Sequence, residues 1–263
     1  MQAAATLCLT FDNMGRAKDI AEGRTGAPDS AEPGLAIGYP RVLALLEELD
    51  LLGTFFIEGW NGLHHPERVQ ELVARGHEVG LHGWVHEQFG SLERTRAEQL
   101  LHDGTACFSR IGIRPAGFRA PGGLRGPYAA DILVALGYRY DSSTDVASVT
   151  GEVLQPTMLR PGLAHVPWRH EMVDSIQYLR HPVRPRTPQE LEAGWLAAID
   201  RAVQDRNSIT VVIHPFLSGV DNEKFRVVRN VLTHVRGRSD IEVCTAAEVA
   251  ERVHSQSQPR SDS

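Results

Sequence analysis

Two histidines, His82 and His86, are the residues of this sequence whose type and spacing most directly suggest chemistry. A spacing of four residues places both side chains on one side of a helical turn, where two imidazole nitrogens can bind a divalent ion such as Zn²⁺. The preceding residues 77–81 have the composition of a short strand, so the pair follows a strand's carboxyl end. Two surface histidines in a loop would show the same spacing. The pair alone suggests a metal site and needs support from other segments.

Four other strand-like runs also end in polar residues that can do chemistry: Asp12 with Asn13, Glu58, Arg119, and His214. The carboxyl ends of parallel strands in a barrel meet at one rim, where α/β enzymes place their sites. Each residue alone has an ordinary explanation as a turn cap, a surface ion pair or a buried core histidine. Their joint placement at strand ends favours a common site.

The chemistry that these residues support is hydrolysis. Asp12 can take a proton from water whose pKa a metal ion has lowered, and His214 can protonate a leaving nitrogen. Arg119 can hold Asp12 without competing for its proton. Gly122 and Gly123 allow a substrate to approach the backbone, with N–H groups able to face an oxyanion. The combination indicates metal-assisted hydrolysis of an amide-type C–N bond.

The elements that must position these residues form an α/β protein. Strand-like and helix-like segments alternate seven or eight times along 263 residues without a composition break, which predicts a parallel sheet with right-handed crossovers. At this length a closed or nearly closed barrel fits better than an open sheet. We expect one barrel domain over residues 1–254 and a polar, disordered tail over 255–263. Residues 14–38 are too long for a simple connection and are a candidate lid or binding loop.

Composition limits the partners. The net charge of −6 argues against nucleic acid as the main partner, and no apolar run is long enough for a membrane span. The three cysteines lack a paired spacing, and no secretory signal is visible at the start, so we expect free thiols and a cytoplasmic location. The expected ligand is a small molecule or a carbohydrate, and a homo-oligomer is compatible with the sequence.

Five segments, in order along the chain, resemble the polysaccharide deacetylase family, also called the NodB-homology or carbohydrate esterase 4 group. They are Thr-Phe-Asp-Asn at 10–13, His-Gly-Trp-Val-His at 82–86, Phe-Arg-Ala-Pro-Gly at 118–122, Tyr-Asp-Ser-Ser at 140–143 and Val-Ile-His at 212–214. The resemblance implies a distorted (β/α)7-type barrel, a divalent metal ion, and hydrolytic removal of an acyl group from nitrogen.

The same resemblance implies catalytic roles. It makes Asp12 the general base, Arg119 the residue that orients it, and His214 the general acid. An aspartate of the fourth segment would raise the pKa of that acid. Asp141 is the closer match for this aspartate, and Asp145 is the alternative.

For the metal, the resemblance implies His82 and His86 as ligands, with Zn²⁺ as the expected ion. The third ligand is an aspartate in the family, and Asn13 stands there in this chain. A neutral amide oxygen should hold a dication less tightly. Three outcomes are open: a weak site, a site completed by Asp12 or by a loop carboxylate, or no metal. The loop candidates are Asp19 and Glu22; if Asp12 is a ligand, Glu58 and Glu87 become candidate bases.

The substrate is less constrained than the reaction. Candidate substrate-binding residues near the strand ends are Glu58, Trp84, Glu87, Pro121, Gly122, Trp168 and Glu171; Asp174 follows in the same polar segment. Residues 82–87 and 214–216 resemble the intracellular branch that includes allantoinase-like and cyclic-imide-hydrolysing members. Removal of acetyl from an N-acetylated sugar or related amide is the leading hypothesis. Ring opening of a cyclic amide or ureide is the alternative, and a catalytically inactive carbohydrate-binding barrel, favoured only by Asn13, is the hypothesis from another class.

Overall fold

The computed structural model describes residues 5–25, 27–144 and 155–257. Within these ranges the chain forms nine strands: β1 Ala5–Asp12, β2 Thr54–Ile57, β3 Glu78–Leu81, β4 Gly117–Phe118, β5 Tyr140–Asp141, β6 Thr157–Arg160, β7 Leu163–His165, β8 Ser208–Ile213 and β9 Ile241–Cys244.

Ten α-helices lie in the same described ranges. They are α1 Ala17–Ala21, α2 Tyr39–Leu49, α3 Gly59–His64, α4 Pro66–Ala74, α5 Arg94–Arg110, α6 Ala129–Ala135, α7 Asp174–Leu179, α8 Pro188–Gln204, α9 Asn222–Arg236 and α10 Ala246–Ser257.

The strands form one curved sheet in the order β6-β7-β5-β4-β3-β2-β1-β8, with β9 also paired to β1. Every pair is parallel except β6 with β7. A single parallel bridge between Val173 and Val212 joins the segment before α7 to β8 and narrows the gap between the sheet's ends. The carboxyl ends of β1 to β5 and β8 therefore lie on the same rim, as predicted for a barrel.

The central strand β1 is buried on both faces, which is why its sequence is continuously apolar. Leu7, Leu9 and Phe11 pack in the main core against the surrounding helices, whereas Cys8 belongs to a second cluster inside the sheet's curve. Cys8, Cys107 and Cys244 are buried free thiols, as expected from their spacing. Capping boxes at Thr187 and at Thr245 begin α8 and α10.

Several short elements differ from the predictions. The loop predicted at 14–38 contains the short helix α1 and a π-helical turn at Gly34–Gly38. The six-residue helices α3 and α7 were not predicted, because so few residues cannot show a helical period. Helix α10 continues to Ser257, past the predicted domain boundary at 254, and residues 258–263 lie outside the described ranges. None of the helices in the described ranges is long and apolar enough to cross a bilayer.

Candidate active site

Asp12, at the end of β1, is held by Arg119, which follows β4. The Asp12 Oδ1 and Arg119 Nη1 atoms are 2.6 Å apart, and the arginine side chain is only 1% exposed. Arg119 also donates to Thr10 Oγ1 and to Ser142, and its guanidinium lies 4.2 Å over the Phe56 ring. These contacts fix the guanidinium from several sides, so Asp12 keeps its orientation at the rim.

The next residue, Asn13, sits in the left-handed region with φ 68° and turns its side chain toward Glu58. Asn13 Nδ2 donates to Glu58 Oε1 at 2.6 Å. The other carboxylate oxygen accepts from the Met14 N–H at 3.1 Å and from Asn61 Nδ2 at 2.9 Å. Burial raises the pKa of Glu58 to about 7, although the hydrogen bonds to its carboxylate act in the opposite direction.

His82 and His86 come together as predicted, but through a tight turn and not through a helix. The chain after β3 turns at residues 83–85, and Gly83 and His86 have φ of 69° and 72°. A Cβ at Gly83 would lie 2.9 Å from both Glu87 Oε2 and Pro121 Cγ, so this turn requires glycine. The two imidazole rings stack edge to face with centroids 5.3 Å apart.

Both histidines are neutral and carry free lone pairs. Burial lowers the pKa of His82 and of His86 to about 3. His82 Nδ1 lies 2.9 Å from the Arg119 carbonyl oxygen, which can only accept, so the ring proton is on Nδ1 and Nε2 keeps its lone pair. His86 Nδ1 is buried and has no hydrogen-bond partner among the described residues. The ring orientation of His82 is typical of a histidine prepared for a metal.

The residues present suit a divalent ion if an amide completes the set. In the described ranges, no three His, Cys, Asp or Glu side chains are grouped closely enough to hold a metal. The loop carboxylates Asp19 and Glu22 are both engaged by Arg24 at the surface, so they do not supply a third ligand. The remaining candidate is Asn13, whose oxygen can coordinate a hard or borderline dication beside two imidazoles.

The aspartate beside His214 is Asp174, at the start of α7, and this corrects the sequence prediction. His214 Nδ1 is 2.6 Å from Asp174 Oδ1, and the His214 N–H donates to Asp174 Oδ2 at 2.9 Å. Ser218 Oγ donates to the same carboxylate at 2.6 Å, and Ser175 Oγ lies 3.5 Å from His214 Nε2. Burial opposes the charged imidazole, but Asp174 outweighs it and raises the pKa of His214.

Asp141, predicted to tune His214, is committed elsewhere. Its Oδ2 lies 2.6 Å from Arg125 Nη1, and its Oδ1 accepts from the backbone and hydroxyl of Ser143. This buried ion pair fixes the segment after β5 and leaves no contact with His214. Asp145, the alternative from the same segment, lies outside the described residues.

Two of the candidate substrate-binding residues, Glu87 and Trp168, hydrogen-bond to the backbone of the rim. Glu87 accepts from the N–H groups of Trp84 and Val85 and so stabilises the histidine turn. Trp168 donates to the Ser142 carbonyl and closes over Gly123, where a Cβ would lie 2.6 Å from its ring.

Pro121 packs against Gly83 at the rim, and Gly122 follows with φ 71°. The Gly123 N–H is already bonded to the Ala120 carbonyl, so it cannot face an oxyanion. Glu171 forms an ion pair with Arg169 at the surface, and its side chain is 48% exposed. Glu171 therefore lies apart from the cluster formed around Asp12 and His82.

Electrostatic coupling links the two halves of the site. The charge of His214 contributes to the lowered pKa of both His82 and His86, and the Asp12 carboxylate helps to raise the pKa of His214. The roles of Asp174, Ser175, Ser218 and Asn61 did not follow from the sequence. Asp174 stood out only as an acidic residue of a polar segment, and its approach to β8 depends on an irregular segment with no sequence pattern.

The chain matches a known protein family over part of its length. Residues 2–140, a little more than half of the chain, match the family described as polysaccharide deacetylase. A peptidoglycan deacetylase of Helicobacter pylori is 30% identical over 125 residues, which are 46% of this chain and 43% of that protein. The chain thus spans less than half the length of this curated relative.

Two solved structures share the fold. A Mycobacterium smegmatis protein considered a polysaccharide deacetylase has a TM-score of 0.83 and 24% identity, over 100% of this chain and 95% of that one. Puue allantoinase has a TM-score of 0.82 and 16% identity, over 97% and 92% of the two chains. At these identities the likeness concerns the fold alone, and it confirms the predicted distorted barrel in a single domain.

Proposed function

Because this chain belongs to the polysaccharide deacetylase family, we propose that it is a metal-assisted hydrolase that removes acetyl from an N-acetylated sugar or a related amide. One observation carries the proposal. Asp12 is paired with Arg119, and His214 is paired with Asp174. The charge of His214 contributes to the lowered pKa of His82, and the Asp12 carboxylate contributes to the raised pKa of His214. A proton acceptor and a proton donor held in this way are what hydrolysis of a C–N bond requires.

Asp12 is the proposed general base. A guanidinium only donates hydrogen bonds, so Arg119 does not compete for the proton that Asp12 must accept from the attacking water. The 2.6 Å contact between Asp12 Oδ1 and Arg119 Nη1 occupies one carboxylate oxygen, which leaves the second one for the water. Arg119 is therefore a positioning residue for the base.

His214 is the proposed general acid. Its Nδ1 is bonded to Asp174, so Nε2 is the nitrogen that can deliver a proton to the leaving amine. Because its pKa is raised, the His214 ring stays protonated to a higher pH and can act as an acid closer to neutral pH. Asp174 takes the role that sequence resemblance had given to Asp141.

The proposed metal ligands are His82, His86 and Asn13. When bound, a Zn²⁺ ion would lower the pKa of water and polarise the acyl carbonyl. The chain's own contribution is to keep both imidazoles neutral by burial and to offer the Asn13 oxygen. Gly122 and Pro121 form the wall nearest to the histidine turn, and we assign the substrate's acyl end to that side.

A second candidate is hydrolytic ring opening of a small cyclic amide or ureide. Phe216 favours it, because its ring lies 5.5 Å from His214 and its side chain is 41% exposed, which suits stacking of a flat ring near the acid. A catalytically inactive carbohydrate-binding barrel is the third. The cytoplasmic location and a homo-oligomer stay predictions.

A panel of substrates separates these readings. The protein is loaded with Zn²⁺ and incubated with N-acetylglucosamine oligomers, with peptidoglycan fragments, and with allantoin and hydantoin. We expect acetate and a free amine in equal amounts from an N-acetylated substrate. Ring opening of hydantoin or allantoin without acetate from any sugar would establish the second candidate. Binding of oligomers without any product would establish the third.

A further inference from the structure

Asn13 has one polar group left over after its hydrogen bonds are assigned. Its backbone N–H donates to the Phe56 carbonyl at 3.2 Å, and its carbonyl accepts from the Tyr39 hydroxyl at 2.7 Å. The side-chain Nδ2 donates to Glu58 at 2.6 Å. Only Oδ1 has no partner among the described residues. The backbone and the amide nitrogen are thus fixed, and the amide oxygen is the free end.

Glu58 determines which end of the amide is free. The glutamate is 1% exposed, and the three groups that contact its carboxylate, from Asn13, Met14 and Asn61, are all N–H donors. A carboxylate oxygen that faces an N–H group accepts its hydrogen bond. Rotating the Asn13 amide by 180° would bring its oxygen against the carboxylate, which is repulsive. Glu58 therefore forces Nδ2 toward itself and Oδ1 away.

We propose that Glu58 is a positioning residue that holds the Asn13 amide nitrogen and so presents the Asn13 oxygen to a divalent metal. The inference rests on the proposed function for the metal and for His82 and His86. A carboxylate bonded to the amide nitrogen draws electron density onto the oxygen, which makes it a better ligand. Carboxylates behind a metal ligand typically change metal affinity by about 10–100-fold.

This arrangement predicts that the effect of Glu58 depends on residue 13. In an Asn13→Asp variant, two acceptor oxygens would meet at the 2.6 Å contact, with no N–H group between them. A glutamine at 58 would relieve the conflict, because its NH₂ can donate to the new carboxylate.

The test measures Zn²⁺ affinity by competition with a chromophoric chelator, using Zn²⁺ alone and metal-free protein. The variants are Glu58→Gln, Asn13→Asp and both together. We expect Glu58→Gln to weaken Zn²⁺ binding by about 10–100-fold in the native background. In the Asn13→Asp background the same change should leave the affinity unchanged or increase it. This reversal is a readout that a merely structural role of Glu58 would not give.

Two further variants serve as controls. Asn13→Gly removes the side-chain amide, and glycine freely adopts the positive φ of this position. This variant should therefore fold even if Glu58→Gln does not. It should weaken Zn²⁺ binding, and adding Glu58→Gln to it should have no further effect. The matched control is Glu78→Gln, the same substitution at a glutamate that touches none of the proposed ligands. It should leave Zn²⁺ affinity unchanged.

The outcomes distinguish this inference from the proposed function. Equal losses from Glu58→Gln in both backgrounds, or no loss in the native one, overturn the inference while the hydrolase proposal stands. Acetate release by protein that binds no Zn²⁺ overturns the inference and the metal together, but leaves Asp12 and His214 in place. Zn²⁺ binding with the expected reversal and no hydrolysis of any substrate supports the inference and contradicts the proposed activity.

Discussion

Glu58 and Glu78 stand at opposite ends of the same pair of neighbouring strands. Glu58 follows β2 at the rim, whereas Glu78 begins β3 at the base, where it is paired in register with Thr54. Each carboxylate accepts three hydrogen bonds, and burial raises the pKa of each above its ordinary value. By burial and pKa alone, both would be candidates for a functional site.

Their partners differ in what they leave unused. Glu78 accepts from Thr54 Oγ1, Tyr140 OH and the Ala247 N–H, at 2.6, 2.7 and 2.9 Å. These donors belong to β2, β5 and α10, so the carboxylate ties the last helix to the base of the sheet. Glu58 holds Asn13, whose side-chain oxygen has no hydrogen-bond partner among the described residues. Both carboxylates are buried, so burial does not distinguish the rim site from the structural one. The difference is that Asn13, the partner of Glu58, keeps an unused oxygen lone pair.

The largest predicted difference between rim and base concerns the general acid. Replacing His214 by Gln should lower kcat for acetate release by about 10²–10⁴-fold, because it removes the proposed proton donor to the leaving nitrogen. Glu78→Gln should leave kcat within about twofold. Steady-state kinetics on both folded variants gives the comparison. Comparable losses in the two variants would remove the distinction between the two ends of the sheet.

The next prediction separates Asp174 from Asp141. His214 must be protonated to act as the acid, so the rate falls as the pH rises through its pKa. Asp174→Asn removes the carboxylate that raises this pKa, and the alkaline limb of the kcat profile should move to lower pH. Asp141→Asn should leave the limb in place.

Asp141→Asn should instead destabilise the fold by about 3–5 kcal/mol, because it breaks the buried ion pair between Asp141 and Arg125. Urea unfolding measures this cost, and kcat is measured on the folded fraction. A shifted pH limb in Asp141→Asn with an unshifted one in Asp174→Asn would reverse the assignment.

At the base, Glu78→Gln should cost about 1–3 kcal/mol of unfolding free energy, because a glutamine NH₂ must face groups that donate to the carboxylate. The measurement is urea unfolding at pH 7 with Zn²⁺ affinity recorded in parallel. Destabilisation with unchanged affinity fits a structural carboxylate. Lost affinity in a folded variant would show that the base also acts on the metal site.

The last prediction concerns the dependence of stability on pH. Burial lowers the pKa of His77, beside Glu78, to about 4, while an unfolded histidine titrates near about 6.5. Between these values the unfolded chain binds more protons, so stability should fall as the pH falls from about 6.5 to 4. His77→Gln should flatten this slope, with or without Zn²⁺. A slope unchanged by the substitution would mean that His77 titrates normally.

The sequence allowed the prediction of residues that lie at ends of regular strands. Asp12, Arg119 and His214 follow parallel strands, and the geometry of such sheets brings those ends together. The pairing of His214 with Asp174 could not be predicted, because the segment between β7 and α7 is irregular and reaches β8 through the single bridge at Val173. Asp141 had the better sequence match but is 2.6 Å from Arg125.

The same limit applies to the metal site. The spacing of His82 and His86 predicted their proximity, yet they meet through a turn that needs a positive φ at Gly83 and at His86. From the sequence, Asn13 predicted weaker metal binding because an amide carries no charge. The contact through which Glu58 orients this amide joins residues 45 positions apart, so no local sequence pattern indicates it.

The most direct test of the central claim compares acetate release by the Zn²⁺-loaded wild type with release by Asp12→Asn, using an N-acetylglucosamine oligomer. The substitution keeps the side chain's shape but removes the base that Arg119 holds. We predict release of acetate by the wild type and a rate lower by about 10²–10⁴-fold in the variant, with Zn²⁺ still bound. Equal rates in the two proteins would contradict the role of Asp12, and with it the proposed site at the rim.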